Sequence, residues 1–313
     1  MNQTSAKLNG PEPLQPALFD SLIDLVDRVF RPEIDRSMAD DYPYFFRPEN
    51  YPNLFVCRAG QRVVTHIGIL PVTLSLFGYP LRVGMIGAVA TEPDFRGRGL
   101  ATRTLYTAFN RFREMGGHLM MISGGRGLYH RNGARPVGTM LTYEMPRHAL
   151  QPGNVDLIKA GPEDCPKMAE LHRRKPLRFL RSLDEWRMNV AAGRCEGFPC
   201  DYWLVSRDGR PTAYFAFPHQ PDTEDGACRL REWGGNPSDI AAALPEAAGD
   251  LEYNSVRWRL FPHQQREAKE LETLGAVNRG TERVLATARV VDPEGLADAL
   301  SGYVGEVLGE DAA

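Results

Sequence analysis

Arg96-Gly97-Arg98-Gly99-Leu100-Ala101 sets two guanidinium groups and two glycines in four consecutive residues. An apolar, strand-like run (83–90) precedes it and a helix-like run, Leu100 to Met115, follows. Strand, glycine-rich turn and helix together leave free backbone N–H groups facing a phosphate, with the helix dipole favourable to negative charge. Gly97 and Gly99 lack Cβ, so the chain can turn tightly and a phosphate can approach. Arg96 and Arg98 add planar, multidentate donors. Taken alone, such a segment also reads as a plain turn that binds nothing. Two other nucleotide motifs are excluded. A P-loop needs G-x-x-x-x-G-K-[ST], and no Lys-Ser or Lys-Thr follows; the dinucleotide fingerprint needs a third glycine where Thr102 stands.

Tyr129 opens a short helical stretch 28 residues beyond Ala101, and its phenol could donate a proton. No carboxylate occurs in residues 83–91. Glu92, at the turn, reads as solvent-facing. His66, on a strand, could relay a proton through water or simply be a satisfied strand histidine. Asp40, Asp41 and Glu49 flank the aromatic segment Tyr42-Pro43-Tyr44-Phe45-Phe46 and could attract a cationic amine; the aromatics could equally cover the edge of a core. The five cysteines show no metal-ligand or disulfide spacing, so no metal is expected and the thiols fit a reducing, cytoplasmic location.

Several elements must position these groups. Apolar residues recur at three- and four-residue steps over 17–31, predicting an amphipathic helix. Strands are expected at 53–58, 62–70 and 72–77, the last two either side of Pro71, and at 82–90. Gly116-Gly117 sits where a helix from Leu100 should end. A short strand, 118–122, leads to Ser123-Gly124-Gly125, and 139–145 is a last strand before the proline- and glycine-containing stretch 146–153. Residues 1–16, with three prolines, read as a flexible lead-in. The expected domains are therefore 17–147 and 154–313.

The second half restarts the same order of elements. Val56-Cys57-Arg58-Ala59-Gly60 parallels Val205-Ser206-Arg207-Asp208-Gly209, and Gly133-Ala134-Arg135-Pro136-Val137-Gly138-Thr139 parallels Gly275-Ala276-Val277-Asn278-Arg279-Gly280-Thr281. Both matches, in order, indicate a duplicated domain. At the second offset, Tyr129 corresponds to Leu271, and no arginine-glycine turn follows the strand at 228–233. The second copy reads as a scaffold that could wall a pocket of the first.

Residues 86–139 resemble the GNAT N-acetyltransferase superfamily. Arg96, Gly99 and Ala101 fill its [Q/R]-x-x-G-x-[G/A] signature, and Leu128-Tyr129 with Gly133-Ala134 is similar to its downstream tyrosine segment. The tandem arrangement and aromatic loop resemble the enhanced-intracellular-survival branch, without room before Ala313 for that branch's sterol-carrier-like domain. The resemblance implies an α+β fold: two tandem GNAT-like domains, each a mixed, mostly antiparallel sheet flanked by helices with a splayed central cleft. It implies acetyl transfer from acetyl-CoA to a primary amine by direct attack in the N-terminal domain. Val89, Ala90 and Thr91 would pair with pantetheine; Arg96, Gly97, Arg98, Gly99, Leu100, Ala101 and Thr102 would hold the pyrophosphate. Ser123 and Gly124 would flank the acetyl end, and Tyr129 would protonate the departing thiolate. An antibiotic, polyamine, peptide N-terminus or lysine side chain all fit as acceptor. Related proteins are often oligomers, so a homo-oligomer is an open expectation.

A net charge of −3 gives no support for a nucleic-acid partner, including the tRNA that a tandem aminoacyl transferase would need. No apolar run approaches the roughly 20 residues of a bilayer span, and the start lacks signal-peptide regions. A non-catalytic acyl-CoA-binding regulatory module is the alternative that the missing strand carboxylate favours.

Overall fold

In the computed structural model, which describes residues 7–284 and 286–309, the chain divides into two units. One comprises the residues up to Val137 and those from Leu285 onward; the other is Gly138–Val284. This differs from the boundary expected at 146–153. Pro146 ends a strand inside the second unit, where Thr139–Pro146 pairs with Ser255–Leu260 and Val277–Arg283, and a single 3-10 turn, Arg147–Ala149, follows it. The late strand Ala286–Val290 belongs to the first unit. Each unit is α+β, with mostly antiparallel sheets flanked by helices.

The first unit's strands are β1 (Leu8–Pro13), β2 (Leu54–Ala59), β3 (Arg62–Leu76), β4 (Tyr79–Thr91) and β5 (Leu119–Ser123), followed across the sheet by Ala286–Val290 and the short strand Arg135–Pro136. All neighbours are antiparallel except β4 and β5. β1 lies within the expected lead-in. Its prolines are tolerated because it is an edge strand, with an irregularity between Asn9 and Glu12. Its Glu12 takes a 2.7 Å bond from Arg58 Nε on β2. Pro71 does not break β3 in two. Pairing with β2 ends at Leu54↔Gly68, so the proline lies where β2 is no longer beside it.

Among the described residues, five α-helices belong to the first unit: α1 (Phe19–Phe30), α2 (Met38–Asp41), α3 (Leu100–Glu114), α4 (Gly127–Arg131) and the late helix Pro293–Leu308. The expected amphipathic helix is α1. Leu22, Leu25 and Val26 are buried in one cluster with Leu54, Val56 and Val63, each such side chain contributing about 1.5–3 kcal/mol by leaving water. α3 packs Leu105, Ala108, Phe109 and Phe112 into a second cluster with Phe55, Ile67, Ile86 and Ile122. It ends where expected: Gly117 N–H donates to the Phe112 carbonyl (2.9 Å) and Gly116 N–H to Arg113 (2.8 Å), a glycine C-cap.

The second unit has two sheets. One runs Arg194–Cys195, Phe198–Arg207, Arg210–Pro218, Glu232–Gly235, with Asp156–Lys159 also on Phe198–Arg207; the other runs Ala227–Arg229, Ser255–Leu260, Thr139–Pro146, Val277–Arg283. The repeat is visible as matched hydrogen bonds. Gly60-Gln61 and Asp208-Gly209 each close a two-residue hairpin, one residue out of step with the sequence match. Ala134 N–H donates to Tyr129 at 3.0 Å and Gly133 to His130 at 3.2 Å; at the same offset, Ala276 donates to Leu271 at 2.9 Å and Gly275 to Glu272 at 3.0 Å.

Candidate active site

β4 and β5 are hydrogen-bonded from Val83↔Leu119 to Ile86↔Ile122 and no further. β4 continues to Thr91, held on its other side by His66↔Ala90 and Thr65↔Thr91. β5 stops at Ser123, held on its other side by Ala286. The two strands therefore part, and residues 87–91 present a backbone edge that β5 does not cover. A bulge accompanies the parting. Ala88 and Val89 together face Ile67, and Ala88 has φ +52°; an extra residue bends a strand and sharpens its twist. Val89, Ala90 and Thr91 lie on one limb of the opening, and Ser123 and Gly124 end the other.

Past Thr91, the turn Pro93–Phe95 leads to the glycines. Gly97 (φ +76°) and Gly99 (φ +71°) are both left-handed, and a Cβ on either would meet nothing within 4 Å. Conformation, not crowding, requires glycine there, and the surface in front of the turn stays open. Gly99 is the N-cap of α3, no side chain caps the helix, and its first turn holds no acid. The amides of Leu100, Ala101 and Thr102 thus face outward without intrahelical acceptors. Arg96 Nε donates to the Thr91 carbonyl (3.2 Å) and Arg98 to Asp94 (3.0 Å), its guanidinium 4.9 Å from the Phe95 ring centroid. Orphan amides, two exposed arginines and an unobstructed glycine face fit a pyrophosphate.

Tyr129 is 4% exposed, in the apolar cluster that also holds Ile86, Ile122 and Leu105. Asn132 Nδ2 donates to the Leu128 carbonyl at 2.7 Å, and Arg289, from the late strand, donates to the Asn132 carbonyl; together they fix α4. Burial raises the phenol's pKa against the opposing charge of Arg126. The hydroxyl therefore stays protonated through the neutral range, and no described residue hydrogen-bonds to it.

The candidate bases are mostly committed elsewhere. Glu92 is buried, not solvent-facing, with Oε1 2.5 Å from Arg28 and 2.9 Å from Arg62. Burial alone would raise its pKa, but those two arginines hold it below the usual carboxylate value. Asp41 is buried between Arg31 (2.6 Å) and Arg36 (2.8 Å), and Asp40 closes a capping box with Ser37. Glu49 is exposed, 3.9 Å from Arg47. The aromatics cover a core: Phe45 lies over the cross-strand pair Gly68 and Gly87, where a Cβ would approach its ring to 2.5 and 3.0 Å. His66 is buried with Nδ1 2.7 Å from the Ala88 carbonyl oxygen, and burial draws its pKa down to about 4 against that bond's opposing pull.

The second unit's counterpart of the α3 head is already satisfied from within. Its strand Glu232–Gly235 leads to Asn236, the N-cap of the helix Pro237–Ala248. Asn236 Oδ1 accepts from the amides of Ser238 (2.8 Å) and Asp239 (3.2 Å), and Glu270 Oε1 accepts from the Ser238 amide (3.1 Å) and hydroxyl (2.5 Å). Gly235 has no open face, since a Cβ there would come within 2.1 Å of the Thr212 carbonyl. A cavity of about 360 Å³ remains, lined by Arg174 and Arg266 but also by Glu267 and Glu270. Among the described residues no group of His, Cys, Asp and Glu could hold a metal ion, and no helix is long and apolar enough to cross a membrane.

Sequence reasoning missed two parts of this arrangement. The strand Ala286–Val290 completes the sheet beside β5, and its alternating small and polar residues carried a period-two signal. The bulge at Ala88 had no signal, because alanine there breaks the usual glycine preference for positive φ.

Residues 11–137 match the family model described as "Acetyltransferase (GNAT) domain". No curated protein matches the chain in sequence. Among solved structures, the fold is similar to that of a GCN5-related N-acetyltransferase from Anabaena variabilis, at TM-score 0.69 and 18% identity over 94% of this chain and 74% of that one. It is similar to Eis1 from Mycobacterium abscessus at TM-score 0.63 and 15% identity, over 94% and 75%. It is also similar to Saccharomyces cerevisiae N-myristoyltransferase, solved with myristoyl-CoA, at TM-score 0.56 and 14% identity over 93% and 83%. At these identities the likeness is one of fold.

Proposed function

We propose that the GNAT acetyltransferase domain formed by residues 11–137 transfers an acetyl group from acetyl-CoA to a primary amine. The observation that carries this is the opening between β4 and β5 beside an uncapped, arginine-flanked helix head. The amides of Gly97 to Thr102, with Arg96 and Arg98, would take the pyrophosphate. The free edge of Val89, Ala90 and Thr91 would pair with the pantetheine amides as an added strand would. Ser123 and Gly124 would border the acyl end on the other limb. Acetyl-CoA supplies an activated acyl thioester. Tyr129 stays a neutral proton donor because it is buried, which suits protonation of a departing thiolate. With Glu92 and Asp41 tied to arginines, the amine would enter already deprotonated and attack directly.

Calorimetry of acetyl-CoA binding to the full chain tests this. Gly99→Glu puts a strained residue and a carboxylate at the helix head. It should weaken binding at least about tenfold, roughly 1.4 kcal/mol. Unchanged affinity in that variant sinks the cofactor assignment.

A further inference from the structure

The bulge in β4 joins one strained residue to one buried imidazole. Ala88 is left-handed at φ +52°, a conformation that L-residues other than Asn and Asp rarely adopt. Such strain persists only where surrounding contacts enforce it. His66 supplies one: it is 0% exposed, and its Nδ1 lies 2.7 Å from the Ala88 carbonyl oxygen. A carbonyl can only accept, so Nδ1 carries the proton and Nε2 is left as a lone pair. That Nε2 is buried with no hydrogen-bond partner among the described residues, and the Phe46 ring lies 6.4 Å away, centroid to centroid. An apolar side chain would avoid this orphaned acceptor. What it could not do is take the carbonyl that the bulge turns out of the regular ladder.

The trans peptide joining Ala88 to Val89 is planar, so its C=O and N–H point in opposite directions. With the carbonyl turned to the His66 imidazole, the Val89 N–H is directed away from that ring, and the pairing of β4 with β5 has ended before Val89. We infer that His66 is a positioning residue: its bond to Ala88 sets the bulge so that the Val89 amide is presented to the carbonyl of a bound acyl thioester. This rests on the acyl-CoA reading above. A role as general base is disfavoured, because an imidazole drawn to about 4 is too weak to take a proton from an ammonium group.

The test needs no acceptor. Two unreactive ligands are titrated calorimetrically: acetyl-dethia-CoA, which keeps the carbonyl, and S-ethyl-CoA, which has CH₂ in its place. The parent chain should prefer the first by roughly fivefold, the worth of one net hydrogen bond. His66→Leu should reduce that preference to about onefold. His66→Asn, whose amide N–H can stand where Nδ1–H stood, should keep it. Amide exchange at residues 87–91 without ligand should quicken in His66→Leu and not in His66→Asn. If His66→Leu does not fold, His66→Gln replaces it, since its N–H lies too far along the side chain to reach Ala88. A parent that binds neither ligand removes the acyl-CoA reading and this inference with it. A parent that binds both equally, or a His66→Leu that keeps the preference, overturns the inference alone.

Discussion

Tyr129 and Glu92 show how neighbours decide what a polar side chain can do. Glu92 has two arginines on one oxygen, so it stays ionised at neutral pH and holds the loop after β4. Tyr129 has apolar walls and a distant cation, so its proton is held and its hydroxyl is left without a described partner. A protonated phenol beside an apolar opening suits a leaving thiolate, whose conjugate acid has a pKa of about 8.5. Because that leaving group is already fairly good, the gain should fall at or below the low end of general-acid effects. Tyr129→Phe should cut the rate of CoA release in the presence of spermidine or a free-N-terminal peptide by about 10- to 100-fold, with acetyl-CoA affinity within about twofold. Steady-state kinetics beside calorimetry would check this, and full activity in Tyr129→Phe removes the residue from the mechanism. The short helix that carries Tyr129 after β5 was legible in the sequence. The fate of Glu92 was not, because Arg28 and Arg62 are far from it in sequence and no local pattern pairs them.

At the scale of elements, the two helix heads are the instructive contrast. Both follow a strand, but α3 begins on a left-handed glycine with its first amides open. The helix Pro237–Ala248 begins on Asn236, with Glu270 reaching across to Ser238 and Asp239 ion-paired to Arg207. A phosphate at the second head would have to displace bonded carboxylate and amide oxygens and would meet their negative charge. Acetyl-CoA should therefore bind with a stoichiometry of one per chain by calorimetry, and a value of two would sink this account of the second unit. Much of this level was readable. The motif gave the turn, the apolar periodicity gave α1 and α3, and Gly116-Gly117 gave the end of α3. Proline misled twice, by suggesting a loose start at 8–13 and a domain boundary at 146–153. It marks local backbone limits and says nothing about which sheet a neighbouring strand joins. That choice depends on pairings such as Ala286↔Ser123, which are far apart in sequence.

For the whole molecule, each unit holds one buried neutral histidine, His66 in the first and His172 in the second, and burial draws both down to about 4. In the unfolded chain each titrates near 6.5. Between those values the unfolded chain binds more protons, so stability is fully present above pH 6.5 and is lost as pH falls toward 4. At pH 5 the loss is about 2 kcal/mol for each histidine. The carboxylates Glu92, Glu144 and Glu232 are held below their usual value and weaken folding only nearer pH 4, while Glu196, raised by burial, acts in the opposite sense to the histidines. The four tryptophans, Trp186, Trp203, Trp233 and Trp258, all lie in the second unit, and their emission reports on it selectively. Urea midpoints by tryptophan emission should fall from pH 7 to pH 5 alike in the parent and in His66→Asn. Amide exchange in the β4–β5 ladder at 83–86, corrected for intrinsic rate, should show the acid loss in the parent and a much smaller one in His66→Asn. An equal loss in both would mean that His66 does not govern the first unit's acid response, and would place the depressed titration elsewhere in that unit.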